Sequence, residues 1–160
     1  MAVIDTNILA EITWFNGQLV YLKDTFVTWI REEGYEVEVL EENITITEAL
    51  SGEYDTFKYT LILDKTIKIC IVPYGIWIVA AKGRIDIFGP SGSEKLVYLQ
   101  KDGPVTTIEM KAGNYSEKST QRHFNNIIEE EGWYWYDDSI IRKTVKLSKE
   151  LCGYLLDRVQ

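Results

Sequence analysis

The sequence predicts an α+β fold: a twisted antiparallel β-meander of roughly six to eight strands packed against an N-terminal helix and C-terminal helices. Near both ends of the chain, apolar residues recur at the spacing of an amphipathic helix. Between residues 35 and 110 the spacing changes to two, as in strands with one buried face. The chain has 160 residues and no Ser/Gly/Pro-rich linker, so a single domain over residues 1–160 is expected.

The first predicted helix covers residues 16–33. Its apolar side chains share one helical face: Leu19, Leu22, Phe26, Trp29 and Ile30. Gly34 follows, and glycine readily takes the left-handed conformation that ends helices.

Alternating strands are predicted next, at 35–39, 44–48, 57–63 and 67–71, with turns at 41–43, 51–53 and 64–65. Segment 76–81 is apolar at every position, which predicts a central strand covered on both faces. Further strands are predicted at 84–88, at 96–100 and, as the last of the meander, at 105–110. Loops at 89–93 and 102–104 separate them.

The C-terminal part is predicted to return to helix. One helix is expected at 117–131, with Ser116 as its N-cap and Gly132 at its end. Residues 133–136 are expected to be extended. A last helix is predicted at 149–159 with Ser148 as its cap, and residues 140–147 fit either a strand or the start of that helix.

The charge of the chain argues against two classes of partner. Seventeen basic and twenty-five acidic residues give a net charge of −8, which disfavours nucleic acid and anionic membrane surfaces as partners. No apolar stretch is long enough for a transmembrane helix, and the first residues lack a signal-peptide pattern. Residues 32–57 are acidic and residues 140–160 mostly basic, so these regions either are solvated independently or pair within one fold or between two subunits.

Cysteine and histidine content predicts no metal site and no cofactor. Cys70 and Cys152 lie within apolar patterns, which is typical of reduced core residues in a reducing cytoplasm. No Cys or His pair has the spacing of zinc ligands. The single histidine, His123, is interpreted as structural, because no orienting carboxylate or nucleophile accompanies it in the pattern.

Residues 4–9, Ile-Asp-Thr-Asn-Ile-Leu, resemble the opening strand of the PIN-domain nucleases. In that family an Asp of this motif helps to bind a divalent metal for RNA cleavage, and Glu48 lies about where a second acidic ligand occurs. The resemblance therefore implies a metal-dependent ribonuclease that uses Asp5 and Glu48. It covers fewer than about 15 residues, and the β-meander departs from the parallel α/β sandwich of that family. The same string is also typical of a helix cap.

A second candidate site follows the apolar segment. Lys82, Arg84 and Asp86 occupy alternate positions and so share one face of a strand. Arg84 and Asp86 can form a lateral ion pair on a solvated face. Alternatively, they clamp a small anionic ligand near Arg84 together with the loop at 89–93.

The third candidate is the aromatic run Trp133, Tyr134, Trp135 and Tyr136, which lies between acidic residues. In a strand the two Trp and the two Tyr side chains point to opposite faces. An exposed pair suits a cationic protein partner, whereas two buried pairs belong to the core. The leading hypothesis is a small, acidic, cytoplasmic and non-catalytic protein–protein interaction module, acting as a homodimer with these aromatics at its centre.

Overall fold

The computed structural model describes residues 5–78, 80–103, 105–122, 128–136 and 143–160. The elements in chain order are α1 (Thr6–Glu32), β1 (Val37–Glu48), β2 (Gly52–Leu63), β3 (Ile67–Gly75), β4 (Gly83–Gly89), β5 (Gly92–Leu99), β6 (Val105–Ala112), β7 (Tyr115–Arg122), β8 (Gly132–Tyr136), β9 (Thr144–Lys146) and α2 (Lys149–Val159). Seven strands form an antiparallel sheet in the order β1-β2-β3-β4-β5-β8-β9, and β6 pairs with β7 in a separate sheet. This confirms the predicted α+β fold with an antiparallel meander.

Both helices contact the sheet, α1 through β2 and α2 through β4 and β5. The core combines the amphipathic face of each helix with alternate residues of the strands, because side chains along a strand point to opposite faces. Burying each large aliphatic side chain stabilises the fold by roughly 1.5–3 kcal/mol. The fully buried side chains include Phe15, Leu19, Leu22, Ile30, Leu61, Leu63, Ile69, Ile71, Ile85, Ile87 and Leu96.

Helix α1 begins ten residues earlier than predicted. The Asp5 carboxylate accepts a 2.8 Å hydrogen bond from the backbone N–H of Asn7 and caps the helix. Ile12 and Phe15 extend the apolar face towards this end. The Asp-Thr-Asn string is therefore a helix cap, and Gly34, with φ of 98°, follows the helix as predicted.

The predicted turn at residues 41–43 is absent. β1 pairs with β2 over its whole length, from Val37 opposite Leu63 to Glu48 opposite Gly52. β1 is an edge strand of the sheet, and Glu41 and Glu42 are exposed there. Charged residues are well tolerated on edge strands, because their side chains reach water.

The prediction of a central strand at 76–81 is wrong for the described residues, 76–78 and 80–81. β3 ends at Gly75 after a register shift against β4, and the chain then turns, with an isolated bridge between Ile78 and Ala81. Ala80 takes a positive φ of 68°. Ile76 is buried, but the other described residues of the segment are half-buried. An apolar run has no period, so its composition alone did not distinguish a strand from a loop lining a cleft.

The prediction of a helix at 117–131 is wrong for the described residues. Residues 115–122 form β7, which pairs with β6, so Ser116 lies in a strand and β6 is not the last strand of the meander. Ala112 pairs with Tyr115 across the two-residue turn Gly113-Asn114, and Gly113 has a φ of 62°. This glycine-containing pair is a hairpin signal. Residues 123–127, including His123, lie outside the described residues, and Gly132 opens β8.

The C-terminal helix is confirmed at Lys149–Val159, and the Ser148 side chain accepts a hydrogen bond from the Leu151 N–H. Of residues 140–147, Thr144–Lys146 form β9, and residues 140–142 lie outside the described ranges. The Lys149 ammonium lies 2.7 Å from the Glu32 carboxylate. The basic and acidic regions therefore meet within one chain at this point. Neither described helix combines the length and apolar character needed to cross a membrane.

Candidate functional site

Two of the aromatic residues in β8 point into the main core. Trp133 and Trp135 have exposed fractions of 3% and 8%. The Trp133 indole N–H donates a 3.0 Å hydrogen bond to Gln18 Oε1, and that of Trp135 donates a 2.8 Å bond to Glu94 Oε2. Both polar ring atoms are thus satisfied inside the chain, so these rings serve as core side chains.

The two tyrosines lie on the other face of β8. Tyr134 has an exposed fraction of 5% and packs with Val97, Leu99 and Ile128 in a second, smaller core. Its hydroxyl donates a 2.6 Å hydrogen bond to the Glu130 carbonyl. Tyr136 is half-buried against the same cluster. Neither aromatic pair therefore presents a fully exposed surface in this chain.

Arg84 and Asp86 form the lateral pair that their spacing predicts. The Arg84 Nε and Nη2 atoms lie 2.8 Å and 3.0 Å from the two Asp86 carboxylate oxygens. The guanidinium also lies 3.9 Å from the centroid of the Tyr74 ring. The edge of the Arg84 guanidinium binds Asp86 and its face lies over Tyr74. Few of its atoms therefore remain to bind a ligand.

The turn between β4 and β5 does not converge on Arg84. The Ser91 N–H donates a 2.8 Å hydrogen bond to the Val159 carbonyl at the end of α2. A Cβ at Gly89 would collide with that same carbonyl. The turn is therefore packed against α2 and is not available as one arm of a clamp.

Lys82 is separate from this pair and lines a cleft beside α1. Its ammonium lies 4.2 Å from the centroid of the Trp14 ring, an arrangement that attracts a cation to the ring face. The cleft has a volume of about 730 Å³. Its described lining residues come from α1, the loop between β3 and β4, β5 and the turn after β5: Glu11, Ile76, Trp77, Ile78, Ala80, Ala81, Lys82, Tyr98, Gln100 and Gly103.

Asp5 and Glu48, the acids implied by the nuclease resemblance, have other roles here. Asp5 caps α1. Glu48 accepts hydrogen bonds from the Tyr54 hydroxyl at 2.5 Å and from the backbone N–H groups of Ile76 and Trp77 at 3.1 Å and 3.2 Å. Over the described residues, no group of three or more His, Cys, Asp or Glu side chains could hold a metal ion. The antiparallel sheet also departs from the parallel sandwich of that family.

The face of the sheet opposite the main core carries a row of cross-strand neighbours, here called the open face. Leu40 pairs with Thr60, Thr60 with Cys70, and Cys70 with Phe88, so the row crosses β1 to β4. Leu40 and Phe88 have exposed fractions of 48% and 42%. The row therefore has an exposed apolar side chain at each end, with half-buried Thr60 and Cys70 between them.

The position of Cys70 in this row corrects a prediction. Both cysteines are free, but only Cys152 is a core residue, with an exposed fraction of 1%. Cys70 alternates with buried Ile69 and Ile71, so its half-buried thiol lies on the open face. The sequence held a signal for this placement, because Lys68 lies two residues before Cys70 on β3 and so shares its face.

Charges are distributed unevenly around the row. Glu38 and Glu42 lie on β1, at one side of the open face, and Lys58 on β2 pairs with Glu42 at 3.1 Å. Lys95 lies on β5, at the other side. One side of this surface is thus acidic and the other carries a base.

Two surfaces formed by the described residues remain as candidate binding sites, the open face and the cleft beside Lys82. They lie on different parts of the fold, since the cleft includes α1 and the open face is opposite the helices. Comparison with models of protein families, with curated proteins and with solved structures gives no match to this chain. The chemistry of these two surfaces is therefore the basis for assigning a function.

Proposed function

We propose that this chain is a non-catalytic protein-interaction module that forms a homodimer through the open face of its seven-stranded sheet. The observation that carries the proposal is the row from Leu40 to Phe88, which crosses four strands in register and is exposed at both ends. Contiguous apolar surface of this kind is favoured to pack against another protein. Sheets pack face to face with their side chains interdigitated and their backbones about 10 Å apart.

The charge distribution supports a second copy as the partner. β3 is the middle strand of β1 to β5. A two-fold axis along the strands near β3 therefore places β1 of one copy over β5 of the other. Glu42 on β1 then approaches Lys95 of the opposite β5, and the same contact is repeated by symmetry. Such complementarity fixes the register of two surfaces more than it adds affinity.

The size of the face is compatible with a weak or moderate dimer. Five strands spaced about 4.8 Å apart and about 25 Å long cover on the order of 500 Å² in projection. A standard interface buries roughly 800 Å² of accessible surface on each partner. Side-chain relief makes accessible area larger than projected area, so the face approaches the area of a standard interface.

A reducing cytoplasmic setting is part of the proposal. It is supported by the two free thiols of Cys70 and Cys152, because paired cysteines are usual in oxidising compartments. A thiol in the middle of the open face also stays reduced there, which keeps the contact surface apolar.

The first test is the oligomeric state in sedimentation equilibrium. We expect a reversible dimer for the unmodified chain and at least a tenfold weaker dimer for Phe88→Glu, because the new carboxylate is buried at the interface. Leu50→Glu is the matched control, since Leu50 is also apolar and exposed but lies in the turn between β1 and β2. A specific interface should give detectable dimer at roughly 200 µM protein. A strict monomer at that concentration overturns the proposal.

A second test locates the interface by chemical cross-linking. A bismaleimide whose span is about 10 Å, the spacing of packed sheets, should join two copies through Cys70, whereas Cys152 is too buried to react. Cys70→Ser should abolish the product and Phe88→Glu should reduce it. A dimer that sedimentation detects but this reagent does not join would place the contact on another surface.

A further inference from the structure

We infer that the cleft beside Lys82 binds a small zwitterion with an apolar body, the chemistry of a free aromatic or branched α-amino acid. The cleft volume of about 730 Å³ is within the usual range of roughly 300–1,000 Å³ for small-molecule sites. This inference is independent of the proposed dimer, because none of the cleft residues belongs to the row on the open face.

The walls of the cleft supply the apolar contacts. Trp77 and Tyr98 contribute ring surfaces, and Ile78, Ala80 and Ala81 contribute aliphatic surface. These loop residues are half-buried, so part of their apolar surface meets solvent. Ala80 also holds a positive φ of 68°, a conformation that is strained for a residue other than glycine. An apolar loop shaped in this way is better explained by an apolar ligand than by the needs of the sheet.

Two opposite charges line the same cleft without neutralising each other. Lys82 has the Trp14 ring as the partner of its ammonium, and no described carboxylate forms a salt bridge with it. Glu11 makes no hydrogen bond or ion pair with any described residue. Trp14 lies one turn after Glu11 on α1, where residues three apart are neighbours. The Lys82 ammonium and the Glu11 carboxylate therefore flank a common space.

This pair of charges selects a zwitterion over ligands with one charge. A ligand carboxylate can bind Lys82 while a ligand ammonium binds Glu11. A simple anion would be repelled by Glu11, and a simple cation would be repelled by Lys82. The net charge of −8 further disfavours a simple anion.

The loop that forms one wall is held in place before any ligand binds. Glu48 accepts hydrogen bonds from the N–H groups of Ile76 and Trp77. A Cβ on Gly75 would come within 2.7 Å of the Glu48 carboxylate, so the loop fits closely against this side chain. A pre-organised wall loses less conformational entropy on binding.

The test uses three probes of similar shape: L-phenylalanine, 3-phenylpropionate and phenethylamine. Isothermal titration calorimetry of the intact chain should show L-phenylalanine binding at least about tenfold more tightly than either singly charged analogue, as expected for one lost charged hydrogen bond. Trp77 and Trp14 lie at or beside the cleft, so tryptophan fluorescence should report the same binding. L-leucine tests whether a branched body is accepted.

Two charge variants assign the roles of the cleft residues. Glu11→Gln should weaken L-phenylalanine at least about tenfold while leaving 3-phenylpropionate unchanged or tighter. Lys82→Met should weaken L-phenylalanine similarly while leaving phenethylamine unchanged or tighter. Lys65→Met, in the exposed turn after β2, is the matched control, and far-UV circular dichroism should show that each variant is folded.

Three results would overturn the inference. The first is no binding of any probe at 10 mM, about the weakest affinity that calorimetry resolves. The second is equal binding of L-phenylalanine and 3-phenylpropionate, which would make the cleft an anion site without a role for Glu11. The third is a folded Glu11→Gln or Lys82→Met variant whose affinities match those of the unmodified chain.

Discussion

The Tyr54 hydroxyl on β2 donates a 2.5 Å hydrogen bond to the Glu48 carboxylate on β1. Because Glu48 also accepts from the backbone of Ile76 and Trp77, one half-buried carboxylate joins β1, β2 and the loop after β3. Burial and the neighbouring Glu48 raise the pKa of the Tyr54 phenol. The phenol therefore remains a hydrogen-bond donor at neutral pH.

Replacing Glu48 by Ala should lower the free energy of unfolding by about 2–4 kcal/mol. The change removes three hydrogen bonds to a half-buried carboxylate, two from backbone N–H groups and one from a hydroxyl, and each contributes about 0.5–1.5 kcal/mol net. Glu48→Gln should cost less, since it keeps an acceptor oxygen. Urea denaturation measures these losses, with Glu53→Ala on the exposed part of β2 as control. Equal losses for Glu48→Ala and Glu53→Ala would contradict the anchoring role.

The position of the core can be tested with one matched pair. Leu61→Ala should lower the free energy of unfolding by about 2–5 kcal/mol, because Leu61 is fully buried between β2 and α1 and leaves a cavity. Ile78→Ala should cost about 1 kcal/mol or less, because Ile78 is half-buried in a loop beside solvent. Thermal and urea unfolding measure both losses of stability. A larger loss for Ile78→Ala than for Leu61→Ala would instead favour the central strand predicted at 76–81.

Trp133 should act on stability and not on association. Trp133→Ala removes a ring buried against α1 and leaves Gln18 without its donor, so the free energy of unfolding should fall by about 3–5 kcal/mol. The dimer dissociation constant should be unchanged under conditions where the variant is folded. A variant that is as stable as the unmodified chain but monomeric would instead make β8 the interface.

Stability should decline in alkali. Burial raises the pKa of the Cys152 thiol to about 12, and burial with the neighbouring Glu41 raises that of the Tyr59 phenol to about 12. In the unfolded chain these groups ionise near 9.0 and 10.0, so above pH 9 the unfolded state binds fewer protons than the folded one. The stabilisation is complete below pH 9 and decreases as the pH rises towards 12.

The slope of stability against pH measures this effect. A group that is ionised in the unfolded state and protonated in the folded state lowers the free energy of unfolding by at most about 1.4 kcal/mol per pH unit. Tyr59 contributes only at higher pH than Cys152, because its phenol ionises near 10.0 in the unfolded chain and the thiol near 9.0. Urea denaturation between pH 8 and 10.5 should show a shallower decline for Cys152→Ala, whatever its loss at pH 7. Identical slopes in the two proteins would show that this thiol ionises equally in both states.

The periodic elements were predictable from the sequence because they depend on local spacing. Phe26 and Ile30 lie on the buried face of α1, and Leu61 and Leu63 lie on the buried face of β2, as their spacings of four and two predict. The Ser148 cap and the Arg84–Asp86 pair were also predictable, since both join residues two or three positions apart. Binary patterning thus determined the α+β class.

The tertiary structure alone decided where non-periodic segments belong. The described residues of segment 76–81 form a loop, which Glu48, 28 residues before Ile76, holds through the backbone. Strand β7, which has few apolar residues, forms by pairing with the backbone of β6. The cleft combines Glu11 on α1, Trp77 in the loop, Lys82 before β4 and Tyr98 on β5. Residues so far apart in sequence meet only when the sheet and helix pack, and local spacing carries no information about that encounter.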